Sequence, residues 1–203
     1  YSINPAADGS VWASVNGFPG AIIRVTPGPN PTETSLAERF EVPVDKGYAV
    51  RGMDVDRNGV AWVALGSGHL ASFDRRRCKG PLNGPKATGH QCDEGWAFYA
   101  EPLPQFKNVT APRSSEGSYF AWVDQRNTLG LGDNTPIATG NQSDGYLALQ
   151  NGKWVVLRVP YPLGTYSKWL DGRIDDPKGG WKGRGLWAAT GTLTIRVPQD
   201  SQT

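Results

Sequence analysis

The stretch Gly52-Met53-Asp54-Val55-Asp56-Arg57-Asn58-Gly59-Val60-Ala61-Trp62-Val63 decides the fold, because its centre recurs. Asn58-Gly59-Val60-Ala61-Trp62 matches Asp8-Gly9-Ser10-Val11-Trp12. Looser copies stand at Glu116-Gly117-Ser118-Tyr119-Phe120-Ala121-Trp122 and Gly183-Arg184-Gly185-Leu186-Trp187. Asp-Gly and Asn-Gly are strong hairpin-turn dipeptides, since both residues tolerate positive φ. The strand after each turn carries a tryptophan, whose ring is large enough to fill the wedge between neighbouring sheets. Internal repetition of this kind marks a repeat architecture.

The other strands of the unit follow by position. Arg51–Asp56 and Asp171–Asp175 read as the strand ahead of the turn, and the tryptophan strand is second. Third strands read at Ala21–Val25, Leu70–Asp74, Tyr146–Leu149 and Leu193–Val197. Fourth strands read at Arg39–Pro43, Trp96–Tyr99 and Trp154–Pro160, where proline suits an outer edge. Four antiparallel strands per unit make a propeller blade. The fold class is therefore all-β, a β-propeller of four-stranded blades at about 1–43, 48–104, 105–162 and 166–203, with the last lacking its outermost strand. Two arrangements fit: a four-bladed ring closed by Tyr1-Ser2-Ile3, or a larger ring with further blades on an N-terminal segment or a partner chain, which is the preferred one. No segment holds a 3.6-residue apolar period, and Thr34–Arg39 is the only tempting helix. Insertions enlarge the second blade (Arg75–Gly95) and the third (Arg126–Asp144).

Composition agrees. Gly 26 and Pro 16 in 203 residues suit many short strands and turns, and eight tryptophans argue against disorder. A net charge of +2 gives no field suited to nucleic acid, and no apolar run approaches a membrane span. Cys78 and Cys92 flank a Gly/Pro-rich loop. A disulfide fits best and implies a periplasmic or secreted protein. Free thiols are the alternative, and a metal would need at least three ligands where only His90 is near. No Gly-x-Ser-x-Gly elbow, P-loop, Rossmann fingerprint or His-Glu-x-x-His is present, which removes the common hydrolase, nucleotide and zinc-protease classes.

The Asp-Gly-x-x-Trp units, Gly52–Val63 and Gly68-His69-Leu70-Ala71-Ser72-Phe73-Asp74 resemble the blade signature of the streptogramin B lyase-like propellers, near the NHL and gluconolactonase-type propellers. The resemblance covers 8–43 and 51–104 well and the later units loosely. It implies a central site that uses His and Glu from inner loops with a divalent metal. Here the position before Gly52 is Arg51, and the chain carries two histidines, His69 and His90.

Loops entering the innermost strand and loops joining strands two and three share one propeller face. That face is expected to gather Asn16–Gly20, Tyr48, Arg51, Gly66–His69, Asp124–Asn127, Lys168 and Thr190–Thr192. His69 and Asp124 are the catalytic candidates, since His titrates near neutrality. Arg51, Arg126, Lys168 and Tyr48 are the ligand-binding candidates, cations suited to a carboxylate or a carbohydrate-like anion. Tyr166, Trp169 and Trp181 fill between blades or stack on a sugar. Three functions stand: an extracytoplasmic propeller binding a ligand or partner at its channel with no required cofactor, a lyase- or hydrolase-type enzyme acting on an anionic or lactone substrate, and a structural subunit of a larger assembly.

Overall fold

The turns that punctuate the repeat form where the Asn-Gly and Asp-Gly pairs place them. Gly9 and Gly59 take φ of +79° and +76°, with open space around the missing Cβ. The carboxylate of Asp56 ties its turn by accepting from the amides of Asn58 and Val60 at 2.8 and 2.9 Å. A computed structural model describes residues 1–160, 162–173, 178–180 and 182–190. The expected strand Leu193–Val197, together with Asp175, Trp181 and Thr192, lies outside the described residues.

Three four-stranded antiparallel sheets run in meander order. The first holds β1 (Ile3–Pro5), β2 (Val11–Val15), β3 (Ala21–Thr26) and β4 (Leu36–Glu41). The second holds β5 (Val50–Val55), β6 (Ala61–Leu65), β7 (His69–Phe73) and β8 (Trp96–Ala100). The third holds β9 (Ala121–Asp124), β10 (Thr135–Ala138), β11 (Gly145–Gln150) and β12 (Lys153–Arg158). A fourth sheet pairs β13 (Ser167–Arg173) with β14 (Gly185–Thr190). The innermost strands pack in succession, β1 on β5, β5 on β9 and β9 on β13. This is the radial order of propeller blades. Among the described residues the only α-helix is one turn at Pro31–Thr34, and Leu36–Glu41 beyond it is strand rather than helix.

One expectation is corrected. Trp122 is not on a second strand: it lies on β9, the innermost strand of its blade, and pairs with Ile137 of β10. Ile137 therefore stands where Trp12 and Trp62 stand in the first two blades. The turn of this blade is the longer stretch after Asp124, not Glu116-Gly117. Tyr1-Ser2-Ile3 leads into β1, which pairs with β2 of its own blade.

Three apolar cores sit at the seams between blades. The first holds Trp12, Phe40, Met53 and Phe73, with the rings of Trp12 and Phe73 edge to face at 6.4 Å. The second packs Trp62 and Trp154 over Leu70, Ala121 and Leu147. The third packs Trp122 over Phe120, Ile137 and Leu170. The indoles beside the first two turns each keep a partner: Trp12 Nε1 donates to Ser10 Oγ at 3.0 Å, and half-buried Trp62 Nε1 to Asp56 at 3.3 Å. Near the axis the seams close so tightly that glycine becomes obligatory. A Cβ on Gly52 would lie 2.1 Å from Phe120 Cδ2, and one on Gly172 would lie 2.2 Å from Trp122 Cζ2.

The second-blade insertion is pinned at both ends. Cys78 and Cys92 are disulfide-bonded across 14 residues, beside two short 3₁₀ turns. Arg75 reaches buried Glu38 of the first blade, with its Nε 2.6 Å from the carboxylate.

Two outcomes test this packing. Reducing the disulfide should cost about 3 kcal/mol and lower Tm by roughly 6–12 °C, read by calorimetry with and without dithiothreitol. Gly52→Ala should cost about 1–3 kcal/mol by overpacking the seam. Denaturant midpoints equal to the parent protein for Gly52→Ala would contradict the close approach of blades two and three.

Candidate functional site

Strand register shows which residues of different blades are equivalent. Asn4 pairs with Trp12, Asp54 with Trp62, Trp122 with Ile137 and Asp171 with Trp187. These four positions form one level of the innermost strands. Three residues earlier in the chain stand Tyr1 and Tyr119, just ahead of β1 and β9, and Arg51 and Lys168, within β5 and β13; these form a second level. Strand side chains alternate, so an interval of three would send the two levels to opposite faces. Register shifts lie between Val50 and Met53 in β5 and between Ser167 and Trp169 in β13, where one extra residue opposes the partner strand. Bulges of this kind re-aim a side chain, and here they act on Arg51 and Lys168.

The first level opens on a cleft of about 450 Å³, to which Asn4, Asp54, Trp122, Arg126, Trp169 and Asp171 all contribute. Asp54 is held in place by two amides: Val55 donates to its Oδ1 at 2.8 Å and Val123 to its Oδ2 at 2.9 Å. Its pKa is nonetheless pushed up to about 6. Burial is the main cause, and the neighbouring charges of Asp171 and Asp56 add to it. Trp169 is 40% exposed, and Arg126 is exposed with no carboxylate on its guanidinium among the described residues.

The second level is a cluster around Tyr119. The guanidinium of Arg51 lies 4.5 Å and the ammonium of Lys168 lies 5.5 Å from its ring centroid. The rings of Tyr1 and Tyr166 flank it at 6.4 and 5.5 Å. Arg51 also donates through Nη1 to the carbonyls of Gly117 and Ser118 at 3.1 and 2.9 Å.

The expected site residues thus divide into three groups. Arg51 and Lys168 occupy matching places, as read from the sequence. Asp124 and Arg126 do not join them: they end β9 and begin its turn, at the opposite end of the innermost strand. Asp124 is fully buried and accepts from the amides of Arg126, Thr128 and Leu129, the role Asp56 has in the second blade. His69 is not at the channel. It opens β7, a third strand, and is 4% exposed. Its Nε2 donates to the carbonyl of Pro112 at 3.0 Å and its Nδ1 accepts from Ser67 Oγ at 3.2 Å. Burial holds its pKa below the usual imidazole range. Tyr48 lies in the same outer region, packed against Phe18 and Arg113.

Asp54 and Asp171 line the cleft but were not among the site candidates read from the sequence. The signal that locates them is positional: each stands opposite the tryptophan of its own hairpin.

No family model matches the chain, and no curated protein does. Solved structures do. The selenomethionine-substituted virginiamycin B lyase from Staphylococcus aureus aligns over 93% of this chain and 47% of its own, at 15% identity and a TM-score of 0.54. A catalytically inactive variant of that lyase with quinupristin aligns over 79% of this chain and 41% of its own, at 18% identity and a TM-score of 0.50. The chain spans about half the length of these proteins. The likeness is one of fold: the chain has a β-propeller fold like that of the streptogramin B lyases.

Proposed function

We propose that this chain is an extracytoplasmic propeller that binds a sugar acid in its axial channel. The supporting observation is the cleft itself, to which the innermost strands of all four sheets contribute and in which Trp122 and Trp169 stand beside Asp54, Asp171 and Arg126. Carboxylates accept hydrogen bonds from ligand hydroxyls, and indole faces cover the apolar side of a sugar ring. Arg126 supplies a guanidinium suited to a carboxylate, and Arg51 and Lys168 add positive charge further along the same strands. The disulfide supports an oxidising compartment.

Galacturonate and galactose separate this reading from general sugar binding. By titration calorimetry the acid should bind more tightly than the neutral sugar. Arg126→Ala should weaken the acid about tenfold or more and leave galactose unchanged, with Tm preserved. Equal affinity for both sugars, or an unchanged affinity in Arg126→Ala, would overturn the proposal.

One observation favours a second, enzymatic reading in the same cleft. Asp54 has a pKa close to neutrality, as general acid–base chemistry needs, and it faces a second carboxylate. A raised carboxyl pKa stabilises the folded protein most at acid pH, and that contribution fades as pH climbs through about 6. Carbon-detected NMR of the Asp54 carboxyl should give a midpoint near 6, moving down in Asp171→Asn. A midpoint in the ordinary aspartate range, indifferent to Asp171, would remove Asp54 as an acid–base candidate.

A further inference from the structure

At the seam between the second and third blades, beyond the Arg51 end of innermost strand β5, two glutamates are buried together. Glu101 follows β8 and is 2% exposed, and Glu116, in the segment leading to β9, is 3% exposed. Glu116 uses one oxygen fully, accepting from the amides of Gly117 at 2.8 Å and Gln142 at 2.7 Å. Its other oxygen and both oxygens of Glu101 have no hydrogen-bond partner among the described residues. Ser118 is completely buried, and its hydroxyl lies beside the Glu101 carboxyl without reaching hydrogen-bonding geometry.

The nearest cation does not resolve this. Arg51 is close enough to act on Glu101 electrostatically, but it makes no ion pair with either glutamate. Its Nη1 is directed to the carbonyls of Gly117 and Ser118. An unpaired buried carboxylate is costly, and the cost is relieved by a proton or by a cation. Burial first, and Glu116 second, push Glu101 up to about 8, so without a cation it would hold a proton at neutral pH. Both solutions satisfy the electrostatics. The fully buried hydroxyl adds a fourth oxygen to the three of the carboxyl groups, so the cluster offers a cation four buried oxygens. A set of oxygens only, without imidazole or thiolate, suits a hard ion that completes its shell with carbonyls and water.

We infer that Glu101, Glu116 and Ser118 form a calcium-type cation site that clamps the second blade to the third. The clamp joins distant segments. The amide of Glu101 is bonded to the carbonyl of Gly68 in the second blade, and Glu116 is bonded to Gln142 in the third. It is separate from the axial cleft and does not depend on what that cleft binds.

Calcium chloride added to EDTA-stripped protein at pH 8 tests it. At a hundredfold excess over Kd, Tm should rise by about 5–10 °C. The rise should be smaller at pH 5.5, where protons compete for the same oxygens. Terbium should bind with one-to-one stoichiometry, with emission sensitised by the adjacent Tyr119. Glu101→Gln and Glu116→Gln, isosteric and uncharged, should fold and lose both responses, while Asp171→Asn should keep them. The inference is overturned if calcium and terbium leave the parent protein unchanged while its Tm falls steadily from about pH 5 to 8 and that fall vanishes in Glu101→Gln. The pair would then hold a proton in place of a metal. Calcium binding of undiminished affinity in both glutamine variants would overturn it as well.

Discussion

Everything in this molecule depends on how closely one blade can approach the next at the axis. Blades stacked around an axis are wedges, crowded at the innermost strand and splayed at the outermost. Side-chain volume must therefore be small inside and large outside. Gly52 and Gly172 are the inner limits of that rule, each filled to contact by an aromatic ring of the preceding or following blade, Phe120 and Trp122. Further out, where the wedge opens, Trp12, Phe40, Phe73 and Trp96 fill the first seam. Interiors pack at crystal-like density, so the size gradient across a blade determines its angle to its neighbour.

The repeat was legible wherever a short turn and a buried indole coincided. Asp8-Gly9 and Asn58-Gly59 announced the first two hairpins, and the second-strand positions of Trp12 and Trp62 followed from them. The third and fourth strands of the first three blades were equally plain, because they are runs of alternating or continuous apolar residues between turn residues. The third blade misled for a physical reason. Tyr119-Phe120-Ala121-Trp122-Val123 has the same texture as Val60-Ala61-Trp62-Val63, yet it is an inner strand whose tryptophan faces the next blade. The better alignment sets Val55-Asp56-Arg57-Asn58 against Val123-Asp124-Gln125-Arg126-Asn127, because what is equivalent is the carboxylate that collects turn amides. Asp56 and Asp124 do this alike, although the second turn is longer.

The channel was only half legible. Arg51 and Lys168 were recognised as matching positions, but the bulges that re-aim them leave no mark in a pattern of residue types. His69 drew attention because histidine is rare in this chain and follows a glycine turn. Its place on a third strand is set by pairing with Leu65 and Ala100, which no local feature encodes. Glu101 and Glu116 were unreadable for the same reason: they lie 15 positions apart in a long connection, and only the seam between blades brings them together.

The net charge of +2 conceals the electrostatic character of the axis. Along the innermost strands the charges are sorted by level, with Arg51 and Lys168 on one and Asp54 and Asp171 on the other. Three residues of extended strand separate the levels by roughly 10 Å, about one Debye length in physiological salt. Beside low-dielectric strand walls such a separation is screened less than it would be in open water, so the two levels set up a field along the axis. Asp54 makes the lower level adjustable. As a carboxylate with a pKa near 6 it is charged above that pH and neutral below it, so the field along the axis changes around that pH. The symmetry of the blades supplies the two levels, and the departures from symmetry within each level give the channel its direction.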